Sequence, residues 1–199
     1  AELHRAVERL QWPKDCRKAR LMVYSHTVSG LASEVHKLAL ALSMALMTKR
    51  TLVVAESPGW GYTDPDVCGN RTVRCFLSSL NRVCREEDAG EESPGFLLGR
   101  CCYMNDTLLT HPDRVMRVNQ TTIEQHKLNL YYKTVPALLA HRGLMWWRAQ
   151  LVDYIWRPLP HMLPAPAPRA HVSVHVRHDN LAEADPIPTA SYVDQVRAC

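Results

Sequence analysis

Apolar and polar positions alternate with clear changes of period along this 199-residue chain. Arg20–Ser25 (RLMVYS) is a short apolar run that predicts a strand, and His26–Ser29 reads as a turn. From Gly30 the period changes, with Leu31, Val35, Leu38, Leu42, Ala45 and Leu46 recurring at three- and four-residue spacing, which predicts a helix. Lys49 and Arg50 stand at its carboxyl end, where cations suit the helix dipole. Thr51–Glu56 (TLVVAE) predicts a second apolar strand. Strand, helix, strand is a βαβ unit, so a parallel sheet and an α/β fold are expected.

Further along, Ser57–Gly99 is loop-rich, with Pro58, Gly59, Gly61, Asp64-Pro65 and three cysteines. Its acidic run (Glu86, Glu87, Asp88, Glu91, Glu92) reads as a solvated loop. Thr121–Leu139 is moderately helical in pattern. Gly143–Arg157 (GLMWWRAQLVDYIWR) predicts an amphipathic helix with Leu144, Trp147, Leu151, Tyr154 and Ile155 as its apolar stripe. Trp146, Trp147 and Trp156 are expected in the core. Five prolines in Pro158–Pro168 make a stiff, extended hinge. Beyond it, Val172, Val174 and Val176 share one face of a period-2 strand, and His171, Ser173, His175 and Arg177 the other. The planar donors of Arg177 suit a phosphate, and an Arg among three histidines (His171, His175, His178) calls for a compensating anion. The turn ahead of Gly30 is a second candidate anion site, because a helix amino terminus offers free N–H groups; a plain capped βα turn fits it equally well.

The boundaries that follow are a stem-like segment over 1–18, an open-sheet α/β domain over 19–157, a hinge over 158–169, and a second domain beginning at 170. Hydrophobic residues make up 46% and charged residues 22%, with a net charge of +4, too mild to argue for a nucleic-acid partner. No apolar run reaches the ~18–20 residues that span a bilayer; the longest, Leu38–Met47, reads as a buried helix. No signal peptide is visible at Ala1, so a luminal protein would have its signal or anchor upstream. Seven cysteines (Cys16, Cys68, Cys75, Cys84, Cys101, Cys102, Cys199) show no metal-ligand spacing, and their odd count leaves Cys199 as the natural unmatched thiol. Three N-glycosylation sequons begin at Asn70, Asn105 and Asn119. Together with the cysteines they favour an oxidising lumen. No nucleophile elbow, P-loop or HExxH motif supports a hydrolase or NTPase.

Four stretches, in order, resemble the core α1,6-fucosyltransferase family. Asp15-Cys16 with Lys18-Ala19 precedes the first strand. The Gly30-x-x-x-x-Val35-His36 helix leads into Lys49-Arg50-Thr51-Leu52-Val53-Val54, similar to the family's Q-R-T-L-I-L. Trp146-Trp147 through Arg157-Pro158-x-Pro160 is similar to its W-W-x-x-Q-x-x-x-Y-x-x-R-P-x-P, the most specific match. His175-Val176-Arg177 resembles the H-V-R-R motif of GDP-fucose-dependent enzymes.

The resemblance implies a GT-B-like architecture, an open-sheet α/β domain followed by the truncated start of a Rossmann-type domain. It implies metal-independent, inverting transfer of fucose from GDP-fucose to the innermost N-acetylglucosamine of an N-glycan or glycoprotein, with no cofactor. Arg177 would neutralise the departing diphosphate, with His175 and His178 beside the donor. Gly30, Ala32, Ser33 and His36 would approach from the first domain, and Asp185 or Glu183 would correspond to the family's catalytic acid. The implied setting is the Golgi lumen, as a type II membrane protein anchored outside this chain, or the secreted state. His178 stands where the family has its second Arg, and Asp179-Asn180-Leu181 where it has T-D-K. They motivate the alternatives of a non-catalytic luminal binding domain on the same scaffold, or transfer to another acceptor. These 199 residues alone are expected to be inactive.

Overall fold

The computed structural model describes residues 2–26, 30–56, 60, 63, 66, 68–69, 71–81, 84–90, 96–97, 112–118 and 134–162. The chain divides into two units between Met162 and Leu163, and every described residue lies in the first.

The first unit is an α/β fold on a small parallel sheet. Strands β1 (Leu21–Tyr24), β2 (Thr51–Val54), β3 (Phe96–Leu97) and β4 (Val115–Val118) lie in the order β2-β1-β4-β3, and each neighbouring pair is parallel. Leu21 pairs with Thr51 on one side and with Val115 on the other, so β1 is an inner strand of the sheet. Both faces of β1 and β2 are covered, which explains their nearly unbroken apolar sequences. Met22, Tyr24, Leu52, Val54, Met116 and Val118 pack in the larger core with the helices. Leu21, Val23, Val53 and Val115 pack on the opposite side with Cys16, Cys84 and Ala89.

Helix α2 (Leu31–Met47) connects β1 to β2, as the change of period predicts. It is buried on more than the predicted stripe, from Leu38 through Ala45, because it contacts both the sheet and α3 (Gly143–Ile155). A helix apolar around most of its circumference belongs in a core of this kind. Trp147 of α3 donates its indole N–H to Ser43 Oγ at 2.7 Å, and Ser43 in turn donates to the Thr134 carbonyl at 3.0 Å. Of the three tryptophans expected in the core only Trp147 is fully buried; Trp146 is partly covered and Trp156 is 48% exposed at the helix end. After α3 the Arg157-Pro158-Leu159 backbone runs beside Phe76–Ser78. Ser78 N–H donates to the Arg157 carbonyl and Leu159 N–H to that of Phe76, each at 2.8 Å.

Three departures from the sequence reading have physical causes. The polar segment 1–18, expected to be stem-like and helical at best, contains α1 (Glu2–Gln11), and this helix is docked on the edge of β2. Its Gln11 amide donates to the Arg50 carbonyl and accepts from Leu52 N–H, while Thr51 Oγ1 donates to the Leu10 carbonyl. The acidic run is not simply solvated. Glu86–Ala89 forms a 3-10 turn in which Glu86 accepts from Arg117 at 3.0 Å and from Glu56 N–H at 3.1 Å. Strands β3 and β4 went unpredicted because one is two residues long and the other carries Arg117 within four residues.

Two disulfides hold the loop-rich region, Cys16–Cys84 with Cα atoms 5.3 Å apart and Cys68–Cys75 at 5.8 Å. At the amino edge of the sheet the fully buried Arg50 donates to the carbonyls of Leu21, Asp113 and Arg114. Burial, reinforced by Arg20, lowers its pKa to about 10 despite the opposing pull of Asp113. No helix among the described residues is long and apolar enough to cross a membrane.

Candidate functional site at the carboxyl edge of the sheet

The order β2-β1-β4-β3 sends the chain from β1 first to one side and later to the other. The change of direction falls between β1 and β4, and in open parallel sheets ligands bind beyond the carboxyl ends of the strands at such a point. Two observations fill that position here.

The first is the amino end of α2. Gly30 is its cap, in extended backbone (φ −64°, ψ 164°) with no side-chain capping bond, and a Cβ built on it meets nothing within 4 Å. Ala32 and Ser33 are exposed in the first turn, and His36 is exposed one turn on. Four positions expected to approach a donor diphosphate thus gather at one open helix end. Arg148 of α3 joins them, its guanidinium donating to His36 Nδ1 at 3.1 Å. Partial burial and then the Arg148 charge lower the His36 pKa, so the neutral imidazole is favoured.

The second is a buried polar network behind that helix end. Tyr24, the last residue of β1, donates its hydroxyl to Glu34 Oε1 at 2.6 Å, and His26 Nδ1 lies 2.9 Å from the same oxygen. Val73 N–H points at His26 Nε2 from 3.4 Å. Nε2 is therefore the acceptor and Nδ1 carries the proton, so Glu34 receives two donors. The His26 ring stacks on Trp60 with centroids 5.9 Å apart, and Phe76 meets Trp60 edge-on at 5.6 Å. Glu34 and Trp60 are essentially inaccessible. A carboxylate near the positive end of a helix is stabilised by the dipole, and its two donors offset its desolvation. The arrangement fixes the first turn of α2 against β1 and against the segment that begins at Thr72.

Two partly exposed ion pairs lie at the same edge. Glu56 follows β2 and pairs with Arg74 at 3.4 Å, and Glu86 links the Glu56 N–H to Arg117 of β4. Among the described residues no group of His, Cys, Asp and Glu is placed to hold a metal ion. A cavity of ≈ 10 Å³ lined by Leu38, Leu52, Leu77, Asn81 and Ile155 is far smaller than a ligand pocket, which runs to several hundred Å³.

Sequence reasoning marked the His26–Gly30 turn but assigned no role to Tyr24, Glu34 or Arg148. Glu34 was detectable in principle, because it precedes Val35 and lies four residues before Leu38 on an apolar face, where a carboxylate needs partners. Arg177, His175, His178, Glu183 and Asp185 lie outside the described residues, as do Asn70, Asn105 and Asn119. The W-W…R-P-x-P stretch is a packing device. Trp147 bonds to Ser43, Tyr154 donates to the Leu80 carbonyl at 3.3 Å, and the Arg157 guanidinium sits 4.2 Å from the Tyr154 ring centre. No protein-family model and no curated protein matches this sequence.

Proposed function

We propose that this chain is part of an inverting fucosyltransferase of the GT-B kind that takes GDP-fucose as donor and the innermost N-acetylglucosamine of an N-glycan as acceptor. The observation that carries the reading is the ordered set of four stretches resembling the core α1,6-fucosyltransferases, from Asp15-Cys16 to His175-Val176-Arg177. The parallel α/β sheet supports it, as does the amino end of α2, capped by Gly30, at the carboxyl edge, the place where such sheets receive phosphate groups. The two disulfides are compatible with a luminal or secreted protein, and we place it in the Golgi lumen on the strength of the proposed reaction.

In this reading Arg177 neutralises the diphosphate as the bond from fucose C1 to the β-phosphate oxygen breaks. His175 and His178 flank the donor. Asp185 or Glu183 removes the proton from the attacking acceptor hydroxyl. In the first unit, Gly30, Ala32 and Ser33 offer the first-turn backbone of α2 to an anion, and the Tyr24–Glu34–His26 network keeps that turn in place.

GDP binding by the full-length protein tests the donor assignment. Arg177→Ala should weaken GDP by about 100-fold, the equivalent of losing a charge-assisted contact worth about 3 kcal/mol. Equal affinity in the variant would overturn the role of Arg177. A protein that binds GDP yet transfers no fucose would be the non-catalytic binding domain that His178, Asn180 and Leu181 favour.

A further inference from the structure

The sequon Asn70-Arg71-Thr72 sits inside the short loop closed by Cys68–Cys75, two cysteines only 7 positions apart. Its hydroxyl residue is taken up by the fold. Thr72 is fully buried, and its Oγ1 accepts the Arg74 N–H at 3.1 Å as the cap of the 3-10 turn Val73–Cys75. The neighbouring backbone is equally committed. Arg71 stands at φ +44°, its N–H donates to the Cys68 carbonyl at 3.0 Å, and its own carbonyl accepts from Trp60 N–H at 2.6 Å. Trp60 is in turn stacked on His26 of the buried network.

Attachment of an N-glycan requires the enzyme to grip the Asn amide and the Thr hydroxyl together on an accessible stretch of chain. The closed loop withholds the hydroxyl. We infer that glycan transfer to Asn70 and closure of Cys68–Cys75 are competing events, so that the disulfide sets how much of the protein carries a glycan there. The inference rests on the luminal reading of the protein.

The two reactions are chemically distinct. In the first, the Asn70 amide nitrogen bonds to C1 of the oligosaccharide, the C1–O bond to a lipid diphosphate breaks, and the amide proton passes to a base. In the second, the Cys68 and Cys75 thiols each lose a proton and an electron to the disulfide of a luminal oxidoreductase, which leaves as a dithiol. Cys75 emerges five residues after Asn70, within about a second at ~5–20 residues per second of synthesis, so both partners are present almost at once. Contact across so short a loop is far faster than the seconds or longer that disulfide formation takes. Cys16–Cys84, whose partners are 68 positions apart, encloses the same sequon without gripping it and should not compete.

The test is site occupancy by mass spectrometry after expression of the full-length protein in a mammalian secretory pathway, read on total cell lysate so that a variant retained by misfolding still reports. Wild type should carry glycan at Asn70 in only part of the population. The Cys68→Ser/Cys75→Ser variant, and wild type pulsed with dithiothreitol, should approach full occupancy, whereas Cys16→Ser/Cys84→Ser should match untreated wild type. Full occupancy in wild type, or unchanged occupancy in Cys68→Ser/Cys75→Ser with glycan present at Asn105 or Asn119, would overturn the competition. Glycan at none of the three sequons in any variant would overturn the luminal reading and the competition with it.

Discussion

At the level of single residues, Glu34 ties the first turn of α2 to the end of β1 through one buried oxygen. Its Oε1 receives the Tyr24 hydroxyl and the His26 N–H, so removing it takes the acceptor away from two buried groups at once. Glu34→Ala should destabilise the protein by about 3 kcal/mol, and Glu34→Gln, which keeps an accepting oxygen, by about half that, measured by urea denaturation. His36 shows the opposite economy on the helix surface. Burial and Arg148 depress its pKa in the folded protein below the 6.5 of the unfolded chain, so the unfolded state takes up the proton first as pH falls. The favourable contribution is therefore present above pH 6.5 and is lost as the pH falls toward the folded value. Melting temperature should drop less steeply between about pH 7.5 and 5.5 in His36→Gln than in wild type. Neither residue's partner could be read from spacing. Tyr24 and Glu34 are ten positions apart, and His36 and Arg148 are 112 apart, distances at which only the fold determines who meets whom.

The elements that were legible are those whose burial imposes a period. β1 and β2 are covered on both faces and read as apolar runs, and α2 and α3 repeat at helical spacing. What stayed hidden depends on polar atoms acting at long range. The docking of α1 rests on Gln11 bonding across the start of β2, and the Cys84 N–H is held by Asn81, which also reaches the Leu52 carbonyl. Such clamps look like ordinary surface residues in a one-dimensional pattern. The cysteine pairing was equally closed to sequence reasoning, since seven cysteines allow many connectivities. Cys16–Cys84 ties the segment before β1 to the segment after β2 beneath the second face of the sheet. Loop-closure entropy assigns about 4 kcal/mol to a crosslink of its span, against about 2.5 kcal/mol for one as short as Cys68–Cys75. Cys16→Ser/Cys84→Ser should accordingly lower the thermal midpoint more than Cys68→Ser/Cys75→Ser, a difference that calorimetry resolves directly.

For the whole molecule, the parallel sheet places the amino end of α2, with Gly30, Ala32, Ser33 and His36, at the carboxyl edge near the switch point. The position of the β1–α2 turn was legible because a strand-turn-helix pattern places it at a carboxyl edge wherever the sheet is parallel. Arg177 and its neighbouring histidines lie outside the described residues, and their part in catalysis is a proposal. Fucosyl transfer by the full-length protein, from GDP-fucose to an N-glycan with an accessible core N-acetylglucosamine, is the most direct measurement. The account predicts an α1,6-linked product whose formation Arg177→Ala abolishes; transfer that survives the substitution undiminished, or no product at all from intact protein, would contradict it.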